Sequence, residues 1–109
     1  MKEGVFKSSD NTVYYKNNQL HREDGPAIEW ENGSKHWYFH GLLHRTDGPA
    51  IDLVAPYLGC TIKKWSINGK WHRENGPAVE WGTGYKEWWI DGQQLNEDQF
   101  NQWIKESQA

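Results

Sequence analysis

The chain has 109 residues and a formal net charge of −3 at pH 7, with an isoelectric point near 5.9 and a mean hydropathy of −1.00. That balance gives no general attraction for nucleic acid or an anionic membrane, and no apolar run approaches membrane-spanning length. The lone cysteine, Cys60, excludes an internal disulfide framework and fits a reducing compartment.

In chain order, the first residues lack the apolar stretch of a signal peptide. Residues 4–7 predict an opening strand paired with residues 12–15. A unit then begins to recur. The turn pairs Asn17-Asn18, His40-Gly41 and Asn68-Gly69 each sit three residues before a segment His-Arg-x-[Asp/Asn]-Gly-Pro-Ala, at residues 21–27, 44–50 and 72–78. A fourth pair, Asp91-Gly92, has no such segment after it. Steps from position 18 to 41, 69 and 92 are 23, 28 and 23, so the period is 23 with a five-residue insertion around residues 54–61. Three copies in so short a chain point to an array of one small unit.

Each unit reads as hairpins. Trp37 and Phe39 alternate with His36 and Tyr38, and Ile28 with Trp30 flank Glu29, the period-2 pattern of half-buried strands. Trp65 with Ile67, Trp88 with Ile90, and Val79 with Trp81 repeat it. Asn32-Gly33, Asn68-Gly69 and Asp91-Gly92 are hairpin signals because both residues tolerate positive φ. In the motif, Asp and Gly fit a tight turn, Gly for its backbone freedom, and Pro starts the next strand. Trp37, Trp65 and Trp88 share a repeat position and predict a buried row. At the far end Leu95 stands where a fourth histidine would fall. Asn96 through Gln99 resembles a capping box, and Phe100, Trp103 and Ile104 make one apolar face of a helix over residues 97–106.

The fold expected is mainly β: an elongated antiparallel meander of about three 23-residue hairpin repeats on a single twisted sheet, closed by a short C-terminal helix. One domain spans 1–109, with an N-terminal cap at 1–12, repeats at 13–35, 36–63 and 64–86, a partial repeat at 87–95 and a capping helix at 96–109.

The rhythm of Trp37-Tyr38-Phe39-His40-Gly41 and Trp65-Ser66-Ile67-Asn68-Gly69 resembles MORN-like repeats, without their Tyr-x-Gly rhythm. The added His-Arg-x-Asp-Gly-Pro-Ala looks like a repeat of bacteriophage and large-DNA-virus proteins. The resemblance covers roughly residues 13–92. It implies a one-sheet repeat protein used as a binding surface, with no reaction attached. It also implies a viral source; the lone cysteine and the lack of a signal stretch predict a cytoplasmic protein, in the host cytoplasm if viral.

Candidate sites follow from the repeats and from what breaks them. His21, Arg22, His44, Arg45, His72 and Arg73 form a ladder that suits an anionic, nucleotide-like ligand through bidentate Arg contacts. The structural alternative has each Arg pairing with Asp24, Asp47 or Glu74 and each His bonding the neighbouring turn. No metal site is expected: His36 and His40 on one strand would stand roughly 13 Å apart. No cofactor is expected either, and Cys60 has no base placed beside it by the sequence. Tyr38, Trp71 and Trp89 lie on the sheet's second face, expected to be partly wet, and Pro56, Tyr57 and Leu58 add apolar side chains to the inserted loop. Exposed aromatics on a rigid sheet suit a protein interface. The function expected is therefore a non-enzymatic protein-binding module, a viral accessory protein that docks on and inhibits a host protein. The protein itself is expected as a monomer or an edge-paired dimer.

Overall fold

A computed structural model describes residues 2–55 and 59–107. The chain is mainly β with one C-terminal helix, as the repeat pattern predicts, and it forms a plate of 45 × 33 × 18 Å. Strands β1 (Gly4–Lys7), β2 (Asn11–Lys16), β4 (Ile28–Trp30), β5 (Lys35–His36), β8 (Ile51–Ala55), β9 (Cys60–Lys64), β12 (Val79–Trp81), β13 (Lys86–Ile90) and β14 (Gln93–Leu95) lie side by side in that order, all antiparallel. β1 pairs with β2 in the register Gly4↔Tyr15 to Lys7↔Thr12, as the N-terminal pattern predicts.

Four tip hairpins leave this sheet at one edge. The first is β2 with β3 (Gln19–Leu20), and the last is β13 with β14. Between them, β6 (Tyr38–Phe39) pairs with β7 (Leu42–Leu43), and β10 (Ser66–Ile67) with β11 (Lys70–Trp71), each as a separate two-stranded ladder. The branch point is one residue. Trp37 donates its N–H to Ala50 O across the main sheet (2.7 Å) and accepts from His44 N across the tip hairpin (3.1 Å). Trp65 does the same with Ala78 and His72, and Tyr14 with Ala27 and His21. The three alanines are completely buried at this crossing.

The tip turns are two-residue turns with both residues left-handed: Asn17 and Asn18, His40 and Gly41, Asn68 and Gly69, Asp91 and Gly92. Asn32-Gly33 is different. Only Gly33 has positive φ there. Trp30 N bonds Ser34 O and Gly33 N bonds Trp30 O, a three-residue loop with the glycine at the bulge. Thr83-Gly84 repeats that geometry. The five-residue insertion lengthens a main-sheet hairpin, pairing Val54 with Thr61 and Ala55 with Cys60. It is therefore more than a protruding turn; Pro56, Tyr57 and Leu58 lie outside the described residues.

The buried core is small: Ile62, Val79, Ile90, Phe100 and the three alanines. All eight tryptophans are only half-buried, so the expected buried row of Trp37, Trp65 and Trp88 is not a hydrophobic core. Helix α1 (Glu97–Ser107) ends the chain. Asn96 Oδ1 accepts from Gln99 N and Gln99 Oε1 accepts from Asn96 N, both at 2.8 Å, the reciprocal cap that the sequence signals. Phe100 anchors the helix as its buried residue.

His36 sits in β5 between Ile28 and Ile51 with its ring 4.5 Å from that of Trp30. Burial first, and the charge of Lys64 second, hold it below its ordinary value of 6.5. The unfolded chain then takes up a proton that the folded chain resists, so stability is full above 6.5 and falls as pH drops through it. The melting temperature should decline between about pH 7.5 and pH 5.5, and His36→Phe should flatten that decline. An unaltered slope in the variant would remove His36 as its cause.

Candidate functional site

A two-residue turn leaves N–H groups that its own hairpin cannot use, and each tip turn gives them to the preceding unit. His40 N donates to His21 Nδ1 (2.8 Å), Asn68 N to His44 Nδ1 (3.0 Å) and Asp91 N to His72 Nδ1 (3.0 Å). The next turn residues, Gly41, Gly69 and Gly92, donate to Leu20 O, Leu43 O and Trp71 O. Arg22, Arg45 and Arg73 return a bond through their own N–H to Tyr38 O, Ser66 O and Trp89 O. Three bonds thus seal each junction, worth about 0.5–1.5 kcal/mol apiece. The first turn has no preceding repeat. There Glu3 Oε1 accepts from Asn17 N and Lys2 O from Asn18 N, both at 2.8 Å, so the N-terminal segment takes the place of Leu20 and His21.

The arginine side chains turn back into their own motifs. The guanidinium carbons of Arg22, Arg45 and Arg73 lie 4.0, 3.8 and 3.7 Å from the ring centroids of Tyr14, Trp37 and Trp65, the branch residues. Nε donates to Asp24, Asp47 and Asn75, and Nη1 to the carbonyls of Pro26, Pro49 and Pro77. Arg22 and Arg73 also reach Glu29 (2.6 Å) and Glu80 (2.7 Å). Arg45 has no such contact with Asp52, the shorter residue at the equivalent position. Burial opposes the charge on Arg22, and its hydrogen bonds to Asp24 and Glu29 outweigh that, raising its pKa. The hydrogen bond from Arg45 lowers that of Asp47. The expected pairing of Arg73 with Glu74 does not form: Asn75 replaces it, and Glu74 accepts from His72 Nε2 at 3.0 Å.

The motif glycines have a different reason from the one the turn chemistry suggests. Gly25, Gly48 and Gly76 are not in the left-handed region. A Cβ at each would stand 3.0, 2.8 and 3.1 Å from the guanidinium carbon of Arg22, Arg45 and Arg73. The ring already takes one face of the guanidinium, so bare glycine backbone closes the other.

Successive motif loops enclose two clefts of one design, and a third lies between the N-terminal segment and the first motif loop. The middle one, about 590 Å³, runs from Asp24 and Gly25 to Thr46 and Asp47 over Trp37 and Phe39. The next, about 820 Å³, runs from Asp47 and Gly48 to Glu74 and Asp91 over Trp65 and Ile67. The first, about 480 Å³, is lined by Glu3, Glu23 and Asp24, by Lys16, by Tyr14 and Tyr15, and by His21. Charge is sorted radially. The arginine side chains are 20–24% exposed, while Glu23, Asp24, Asp47, Glu74 and Asp91 are 66–87% exposed.

All six His/Arg ladder residues line these clefts. Tyr38, Trp71 and Trp89 line none of the three and are half-buried, Trp89 donating from Nε1 to Glu87. Of the cleft residues Phe39 and Ile67, on strands whose alternation predicts half-burial, Ile67 is half-buried and Phe39 is among the exposed large apolar residues. Cys60 is half-buried. Among the described residues, no group of three His, Cys, Asp or Glu side chains is placed to hold a metal, and no helix is long and apolar enough to cross a membrane.

The stacked arginine generates a stability prediction. Its head is pinned by Asp47, Pro49 and Trp37 and cannot swing away cheaply. Gly48→Ala should therefore cost about 1–3 kcal/mol in chemical denaturation, and Gly76→Ala less. Arg45→Lys, which loses the planar stack, should also destabilise. A loss for Gly48→Ala no greater than for Thr83→Ala, on an exposed turn, would remove the contact as the reason for glycine.

Comparison with protein-family models, with curated proteins and with solved structures gives no match.

Proposed function

We propose that the chain is a non-enzymatic protein-binding module that docks its partner along the row of clefts between successive motif loops. The observation that carries this reading is the radial sorting of charge. The arginines are folded inward onto aromatic rings, and the carboxylates of Glu23, Asp24, Asp47, Glu74 and Asp91 stand outward. Each cleft offers an apolar wall beneath an acidic rim, on a rigid sheet, which suits a specific interface with a basic surface. The histidines are engaged through Nδ1 as junction acceptors, which supports a scaffold over a catalytic centre.

The anion-binding ladder has less support. Nε and Nη1 of every motif arginine are already engaged within its own loop, and an incoming phosphate would meet the carboxylates first. The narrower reading, a viral accessory protein that inhibits a host protein, rests on the repeat resemblance alone. Tyr38, Trp71 and Trp89 supply the junction hairpins rather than a free surface, and the share of Pro56, Tyr57 and Leu58 is tested only by their substitution.

Affinity capture from the native cellular source, with wild type and Glu23→Gln/Asp47→Asn/Glu74→Gln side by side, tests the reading. The variant keeps each hydrogen-bonding shape and should melt close to wild type. It should lose the partner that wild type retains. A partner held equally by both would overturn the clefts as the docking surface. Nucleoside triphosphates should leave the melting curve unmoved, whereas a bound one at a hundred times its dissociation constant would stabilise by about 2.7 kcal/mol.

A further inference from the structure

We infer that the clefts take an extended cationic peptide segment with Arg or Lys at every third position, one cation per cleft. This rests on the protein-binding reading and specifies its partner. The spacing comes from the sheet. From one motif loop to the next the array adds two strands, β4 and β5 or β8 and β9. At about 4.7–4.9 Å per strand the loops step by roughly 10 Å. A polyproline II segment rises about 3.1 Å per residue with three residues per turn, so residues i, i+3 and i+6 share one face and step by roughly 9 Å. Peptide register and cleft register therefore match to within about 1 Å per step.

The chemistry within each cleft agrees. Phe39 in the middle cleft and Ile67 in the next offer apolar surface for the aliphatic stem of a Lys or Arg. Glu23 lines the middle cleft with Asp24 and Asp47, which also accept from Arg22 and Arg45, and Asp47, Glu74 and Asp91 rim the next, where the cationic head would sit. Asp47 is shared by both clefts, so neighbouring cations would be held on one carboxylate between them.

A second, independent observation lies in the first cleft and points to a main chain. His21 has a side chain only 4% exposed. Its Nδ1 accepts from His40 N, which leaves the proton on Nε2. That Nε2–H is buried without a hydrogen-bond partner among the described residues, 3.7 Å from Glu23. The equivalent atom of His72 is satisfied by Glu74. A peptide carbonyl laid along the first cleft supplies the missing acceptor at His21, and the cation beside it meets Glu23 and Asp24 in a lining that also holds Lys16.

The test is fluorescence anisotropy with a labelled nonapeptide, Pro-Ala-Arg repeated three times, in about 50 mM salt. The controls are an isomer of the same composition with its three arginines adjacent, and spermine. The spaced peptide should bind at least about tenfold more tightly than the isomer, and spermine should not displace it at equal concentration. Thr46→Lys places a cation on an exposed residue that lines the two larger clefts. It should weaken the spaced peptide by roughly tenfold with an unchanged melting temperature. Equal binding of the two isomers, or displacement by spermine at equal concentration, overturns the three-residue register. A spaced peptide that ignores Thr46→Lys overturns the clefts as its site. If the peptide does not bind while capture still depends on Glu23, Asp47 and Glu74, the register falls and the protein-binding reading stands. If capture is also insensitive, both fall.

Discussion

The array depends on one requirement: a tight two-residue turn exposes amide hydrogens that must find acceptors elsewhere. In this chain the acceptors always belong to the preceding unit, the Nδ1 of His21, His44 or His72 and the carbonyl of Leu20, Leu43 or Trp71. A tip hairpin cannot complete its own hydrogen bonding until its neighbour is in place. Local and inter-repeat structure are therefore one cooperative unit, as expected for a quasi-one-dimensional protein whose units touch only their neighbours. The histidine is there because an imidazole nitrogen accepts without needing a counter-charge, and at the first turn a carboxylate, Glu3, fills the same role.

Such an architecture tolerates a thin core because polar groups replace it. Trp37 and Trp65 are each stacked under a guanidinium, and that guanidinium is closed on its other face by a glycine backbone. Stacking lets Arg keep its in-plane donors for Asp47 or Asn75 and the proline carbonyls while its faces are dry. The same arrangement hides positive charge and displays negative charge. The surface potential of the motif loops is thus set by a packing requirement, and the sign is opposite to what the recurring His-Arg pair suggests on paper.

Period, hairpin count, the opening strand, the helix and its cap were legible because each is written in local chemistry: turn pairs, alternation, and the Asn96–Gln99 exchange. The pairing of histidine with the neighbouring turn was legible because the motif follows the period and stops at Leu95. Other features were not. A glycine required by contact looks the same as one required by φ, so the role of Gly25, Gly48 and Gly76 is hidden until Arg22, Arg45 and Arg73 are placed. Alternation does not reveal that Phe39 and Ile67 face the clefts, because the strand changes sheets at Trp37 and Trp65, and the meaning of inside and outside changes with it. Asn32-Gly33 resembles the tip turns in composition, yet one extra residue in its loop leaves only the glycine left-handed.

The substitution of Glu3 and Lys2 for a preceding repeat has a consequence for how such a chain can vary. Both ends of the array are closed by separate devices, a borrowed carboxylate at one and a capped helix at the other, and neither touches the interior units' own rules. Whole units can then be gained or lost between them without redesigning either terminus. Each adds one more cleft and about 10 Å of length, which makes the fold a ruler graduated in repeats, with reach and valence changing together in discrete steps.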